Sequence, residues 1–176
     1  MTSPPTTPAI GRDLAALPDH DLWHAEDLRV GDHFNVGSVD VTREAILDFA
    51  ARYDPLDIHL DGTGSPFGDI IASGIHTMAY FSSMASRLFL PRLALVAGKG
   101  IDRMRLPHPV FPGARLTGHI RINDVVMKAE RADIVYRSTM VDQSGRVVLD
   151  FVAITVVARR FTASGTAEDM NPAAQP

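Results

Sequence analysis

Residues 75–90 read IHTMAYFSSMASRLFL, an apolar stretch interrupted mainly by Ser82, Ser83, Ser86 and Arg87. A helix that is apolar around most of its circumference is usually buried, so this stretch predicts a long buried helix. Pro91 ends it, because proline cannot continue a helix. A sheet must therefore cover this helix, and the neighbouring sequence supplies the strands.

The residues after the helix have the composition of β-strands. Between residues 116 and 122, apolar residues alternate with polar ones, and residues 134–141 are rich in branched and aromatic side chains. The turn Asp142-Gln143-Ser144-Gly145 then leads into residues 147–158. With residues 95–106, this pattern predicts four strands, which are antiparallel because the last connections are short.

One further strand and one helix precede the long helix. Residues 28–42 predict a strand interrupted by a bulge at Gly37. Thr42 is a typical N-cap, and behind it Ile46, Phe49, Ala50 and Tyr53 recur at the spacing of one buried helical face. Pro55 should end this helix near Tyr53. The glycine-rich residues 56–74 then predict a long loop, and a long loop within a compact domain is often functional.

The composition bounds the class of protein. The chain has 176 residues, of which 45% are hydrophobic and 22% charged, as in a single globular domain. Its net charge of -4 gives no basic surface for nucleic acid. It contains no cysteine, which excludes a thiol nucleophile and cysteine-based metal sites. We find no signal peptide or membrane-length apolar run, and therefore expect a cytoplasmic protein without a membrane partner.

The two ends differ from the rest of the chain. Residues 1–20 contain four prolines and few large apolar side chains, and residues 162–176 are small and polar. Both ends are typical of disordered tails. The predicted folded domain spans residues 21–161.

Three segments contain candidate functional residues. Asp54 and His59 lie on either side of a turn that Pro55 forces, so a carboxyl and an imidazole can converge on one water for acid–base chemistry. Ser73 and Gly74 precede the long helix, where exposed backbone N–H groups can hold an oxyanion. Arg103 and Arg105 face one side of a strand and can meet phosphate groups.

Each segment also has an ordinary structural interpretation. Asp54 can begin a turn, and Ser73 can be an N-cap. The two arginines can simply lie on an exposed face of a sheet. We interpret His76 as a packed core histidine. No spacing of histidines or carboxylates predicts a metal site.

Together, three segments resemble a known family. FAARYDPLDIHLD (residues 49–61), SPFGDIIASGIHTMA (residues 65–79) and RMRLPHPVFPGARLTG (residues 103–118) are similar, in order and spacing, to the MaoC-like acyl dehydratases and (R)-specific enoyl-CoA hydratases. The resemblance implies a single α+β hot-dog domain, with an antiparallel sheet of about five strands wrapped around a long central helix. It also implies a homodimer or a higher homo-oligomer.

The resemblance assigns roles to the candidate residues. Asp54 and His59 fall on the family's catalytic pair, and Ser73 and Gly74 fall on the segment near the thioester carbonyl. The implied substrate is an acyl-CoA or acyl-carrier-protein thioester, to which water is added across the 2,3-double bond, or from which it is removed. This chemistry needs no metal or redox cofactor.

The sequence departs from the family pattern at two positions of the catalytic loop. Leu56 replaces an Asn or Gln, and Asp57 replaces a proline and could compete for the proton of His59. Two alternatives therefore remain: a non-catalytic acyl-CoA-binding protein, and a hot-dog thioesterase. A thioesterase usually carries an acidic residue on its central helix, and residues 78–90 contain none.

Overall fold

The computed structural model describes residues 11–17 and 22–160. The helices in this part of the chain are α1 (Arg43–Tyr53), α2 (Asp57–Leu60) and α3 (Gly74–Leu88), with short 3₁₀ turns at Leu14–Ala16, Ala25–Asp27 and Leu90–Arg92. The strands are β1 (His33–Asp40), β2 (Leu95–Arg105), β3 (Arg115–Met127), β4 (Arg131–Val141) and β5 (Val147–Ala158).

The five strands form one antiparallel sheet in the order β1-β3-β4-β5-β2. The long helix α3 packs on one face of this sheet, where Phe81 meets Phe151 edge to face at 5.1 Å. Gly118 lets the helix and sheet approach closely, because a Cβ at this position would press against Val36 and Met84. The chain therefore has the predicted α+β hot-dog architecture, with the core between α3 and the sheet.

Local signals set the bounds of β1 and α1 as expected. The pairing of β1 with β3 shifts between Asn35 and Gly37, and Gly37 adopts φ +90, which favours glycine. The Thr42 hydroxyl accepts a hydrogen bond from the Ala45 N–H at 3.1 Å and so caps α1. The helix ends at Tyr53, two residues before Pro55.

Burial differs from the prediction at two places. Tyr53, predicted on the buried face of α1, is 71% exposed, and its ring packs on Phe49 at 5.0 Å and does not enter the core. The helix α3 is not buried all round either. Its outer side exposes Ile75 and Leu88, since the sheet of one chain covers only one side of the helix.

The predicted tails lie mostly outside the described residues, which exclude 1–10, 18–21 and 161–176. Residues 11–17, within the predicted N-terminal tail, pack against β1. Leu14 is fully buried, and Asp13 bridges to His33. Arg12 pairs with the buried Asp32 at 2.6 Å, so this segment is part of the domain. Among the helices described, none is long and apolar enough to span a membrane.

Candidate active site

The structure brings Asp54 and His59 together. Asp54 ends α1 in a non-helical conformation, and α2 turns the chain so that His59 points back at it. The His59 Nε2 lies 3.5 Å from the Asp54 Oδ2. The imidazole is buried, whereas the carboxyl is about one-third exposed. A separation of 3.5 Å is long for a direct hydrogen bond, and it leaves both groups able to bind one water molecule.

A backbone contact orients the His59 ring. Its Nδ1 lies 2.8 Å from the Ile71 carbonyl oxygen, which can only accept a hydrogen bond. We therefore assign the proton of the neutral imidazole to Nδ1, which leaves the Nε2 lone pair facing Asp54. This tautomer makes Nε2 a proton acceptor at the site.

The Ser73 hydroxyl forms a hydrogen bond with Asp54. Its Oγ donates to the Asp54 Oδ2 at 2.6 Å and accepts a longer bond from the Ile75 N–H at 3.2 Å. Ser73 is thus the N-cap of α3, and it also fixes the carboxylate that faces His59. The sequence predicted Ser73 near a thioester; the structure places its hydroxyl against the carboxylate.

Gly74 begins α3 beside this cluster. Because Ser73 Oγ takes the Ile75 N–H, the Gly74 N–H is the neighbouring helix-start donor, and nothing in the described chain accepts a hydrogen bond from it. Leu106 packs against the Gly74 Cα, where a Cβ would collide with the leucine methyl group. A larger residue at position 74 would therefore displace the Leu106 side chain.

The two unusual residues of the loop do not contact the His59 ring. Leu56 precedes α2 and Asp57 occupies its first turn, where a carboxylate is favourable; both are exposed. The ring nitrogens of His59 face Ile71 and Asp54 instead. The geometry of the pair is thus formed without the usual residues at positions 56 and 57.

Arg103 and Arg105 line one cavity of about 370 Å³. Arg103 adopts φ +51, a left-handed conformation that is uncommon for a residue with a side chain, and the pairing of β2 with β5 shifts beside it. Neither arginine forms a salt bridge with the described residues. Arg137, also in the lining, is paired with Asp150 at 2.7 Å. Arg137 could not be grouped with the other two from the sequence, because it lies far from them along the chain.

A family comparison decides the identity of the domain. The profile of the MaoC like domain matches residues 28–143, which include the Asp54–His59 loop and the start of α3. The chain belongs to the MaoC-like domain family.

One solved structure supports this assignment, and two more distant ones share the fold. A MaoC-like dehydratase from Rhodospirillum rubrum is 33% identical, with a TM-score of 0.73 over 80% of this chain and 99% of that chain. The unliganded R-hydratase PhaJ1 from Pseudomonas aeruginosa is 23% identical, with a TM-score of 0.61 over 78% of this chain and 86% of that chain. HadBC from Mycobacterium tuberculosis, a 3R-hydroxyacyl-ACP dehydratase complex, is 16% identical, with a TM-score of 0.56 over 68% of this chain and 89% of that chain.

A second cavity, of about 540 Å³, lies behind α3 in this MaoC-like domain. Its apolar lining comes from the helix and from the inner face of the sheet and includes Met78, Phe81, Ala85, Ile101, Phe151 and Ala153. Within residues 11–17 and 22–160, no three His, Asp or Glu side chains are grouped as metal ligands.

His76 is buried, as predicted, and lies in an aromatic stack that the sequence did not predict. Its ring lies between Phe49 and Tyr80, with both ring centroids at 4.4 Å, and the rings of Phe49 and His76 are parallel within 1°. Its Nδ1 is buried without a hydrogen-bond partner among the described residues. Burial in this aromatic stack lowers the pKa of His76, which favours the neutral form of the ring.

Proposed function

We propose that this MaoC-like protein is a hydratase or dehydratase of 2-enoyl thioesters, with Asp54 and His59 as its acid–base pair. The observation that carries the proposal is the position of this pair. An oriented Nε2 and a carboxylate face each other at 3.5 Å, beside the free N–H at the start of α3. Family membership supports the reaction class.

The proton steps follow from the assigned tautomer. The water held by Asp54 and His59 gives a proton to Nε2 while its oxygen bonds to the β-carbon of the enoyl group. The electron pair of the double bond moves toward the thioester, and an enolate oxygen forms. The Asp54–His59 pair then returns the proton to the α-carbon, and the enolate becomes the thioester carbonyl of the 3-hydroxyacyl product. Dehydration is the reverse sequence.

The start of α3 would stabilise the enolate. The Gly74 N–H is free and lies at the positive end of the helix dipole, as a developing oxyanion requires. Ser73 keeps the carboxylate in place through its 2.6 Å hydrogen bond, so its hydroxyl serves the acid–base pair. The carbonyl of the thioester would then bind the backbone of residue 74.

The two cavities suggest where the ends of the substrate bind. The cavity behind α3 is mainly apolar and suits the acyl chain. Arg103 and Arg105 lie at the end of β2 and line the other cavity. Leu106, which follows Arg105 directly, packs on Gly74. We assign these two arginines to the phosphates of coenzyme A or of an acyl carrier protein's prosthetic group. The proposed chemistry requires no metal or redox cofactor.

The decisive experiment measures the loss of enoyl absorbance with crotonyl-CoA and longer 2-enoyl-CoA substrates. We expect Asp54→Asn and His59→Ala each to lower kcat by at least about 10²-fold, the low end for acid–base groups. The matched controls are Asp48→Asn, on the exposed side of α1, and His119→Ala, on the exposed face of β3; both should keep the wild-type rate.

The same assay separates the alternatives. A wild-type protein that leaves every enoyl-CoA unchanged, although it binds them, is a binding protein and contradicts the proposal. Release of free coenzyme A thiol without addition of water identifies a thioesterase instead. Full activity in both Asp54→Asn and His59→Ala would exclude the assigned pair even if the reaction is correct.

A further inference from the structure

One face of α3 connects the proposed thioester site with the cavity behind the helix. Gly74, Met78, Phe81 and Ala85 are spaced at i, i+4, i+7 and i+11, which places them on one helical face. The last three of these residues line the 540 Å³ cavity. An acyl chain whose carbonyl binds at residue 74 therefore extends along this face. This step rests on the proposed function.

The sheet register shows which end of the cavity lies far from the thioester. Arg105 pairs with Asp150, and Leu106, the next residue, packs on Gly74. Thr155, in the cavity lining, pairs with Gly98 near the other end of β2. Thr155 lies five positions after Asp150, a distance of about 17 Å along the strand. Thr155 is thus placed where the distal part of an acyl chain would lie.

This far end carries a buried pair of hydroxyls. The other polar side chains of the lining are Ser82 and Lys99, and Lys99 is already paired with Asp133 at 2.6 Å. The Thr155 Oγ1 and the Tyr136 Oη are 3.0 Å apart, and both residues line the cavity with about 5% of their surface exposed or less. Two hydroxyls carry two O–H donors, and their mutual hydrogen bond uses only one. Neither hydroxyl makes a further hydrogen bond with the described residues. One buried donor is therefore left for a partner inside the cavity.

A purely apolar acyl tail would leave that donor unpaired. A buried, unsatisfied hydroxyl is unfavourable, whereas valine and phenylalanine would fill the same positions without this penalty. From this polar end we infer that the protein acts on acyl groups that carry an oxygen function, such as a hydroxyl or a keto group, far from the thioester. The oxygen accepts the spare O–H of the Tyr136–Thr155 pair.

The test compares matched substrates that differ only at the chain end. We propose trans-2-enoyl-CoA pairs of hexenoyl, octenoyl, decenoyl and dodecenoyl length, each with a terminal methyl or a terminal hydroxymethyl group. For at least one length, the wild-type kcat/KM should favour the hydroxylated partner. The double variant Tyr136→Phe/Thr155→Val should lower that preference about tenfold, the effect of one hydrogen bond to a desolvated group.

Binding gives a second measurement that does not depend on turnover. Titration calorimetry with decanoyl-CoA and ω-hydroxydecanoyl-CoA, with wild type and double variant, should show the same change in the ratio of Kd values. Thr139→Val removes a hydroxyl from β4 on the opposite face of the sheet and is the matched control. Thermal unfolding monitored by circular dichroism checks that each variant is folded.

The outcomes distinguish this inference from the proposed function. Hydration of the alkyl series, with no preference at any length or with a preference that survives in the double variant, overturns the inference and keeps the function. A Kd preference lost in the double variant, without hydration of any substrate, supports the inference and overturns the function. Failure to bind any acyl-CoA overturns both.

Discussion

At the scale of single residues, His76 links pH to stability. Burial between Phe49 and Tyr80 lowers the pKa of His76 below its ordinary 6.5, and it raises the pKa of Tyr80. An unfolded chain binds the histidine proton near pH 6.5, and the folded chain binds it only at lower pH. Between these values the unfolded state holds more protons, so the stability present above about pH 6.5 is lost as the pH falls.

Replacing this ring tests the effect. We expect His76→Phe to keep both stacking contacts and to remove this part of the acid sensitivity. The difference in unfolding free energy between variant and wild type should grow in favour of the variant below pH 6.5, by up to about 1.4 kcal/mol per pH unit. Urea unfolding at several pH values between 5 and 8 measures it. A difference that stays constant over this range would show that His76 is protonated equally in both states.

At the scale of secondary structure elements, the N-cap residue of α3 has two functions that can be separated. Ser73 caps the helix and holds Asp54, whereas Thr42 caps α1 without contacting the proposed site. Ser73→Ala and Thr42→Ala should each reduce the unfolding free energy by about 1 kcal/mol. Only Ser73→Ala should also lower kcat, because Asp54 then loses its 2.6 Å hydrogen bond.

The measurement pairs urea unfolding with hydration kinetics for the two variants. Equal losses of kcat in both would mean that the effect comes from stability alone. An unchanged kcat in Ser73→Ala would show that the Asp54 carboxylate needs no such support.

The elements themselves were largely predictable, because they depend on local signals. Proline, glycine and the Thr42 cap mark where α1 ends, where β1 bulges and where helices begin, and side-chain alternation marks the strands. Exposure was harder to predict. The apolar pattern of α3 shows that the helix is packed, but not that the sheet of one chain covers only one side of it.

The site was predictable only in part. The motif predicts that Asp54 and His59 are close, and the structure agrees. The contact between His59 and the Ile71 carbonyl could not be predicted from the sequence, because every residue has a carbonyl. The Ser73–Asp54 hydrogen bond and the Tyr136–Thr155 pair join residues 19 apart along the chain, so they depend on the tertiary fold.

At the scale of the whole molecule, the sheet has an edge that is unprotected in one chain. β2 lies at the end of the strand order and pairs only with β5. Almost all of its residues are exposed, including Leu95, Val96 and Ile101. Natural proteins rarely leave a long edge strand open, because its unpaired backbone groups invite pairing with another chain.

We propose that two copies pair through β2 and join their sheets, in the isologous contact that is commonest in homo-oligomers. Light scattering at micromolar concentration should then give a mass near twice 19.1 kDa, or a higher even multiple. Charges at the edge oppose such pairing, so Leu95→Lys/Val96→Lys should shift the protein toward the monomer mass. Val30→Lys, at a similarly exposed valine before β1, is the control and should keep the dimer.

A monomeric wild type, or a double variant that remains dimeric, would contradict pairing through β2. Because β2 also lines both cavities, the monomeric variant should lose affinity for acyl-CoA as well, and Val30→Lys should not.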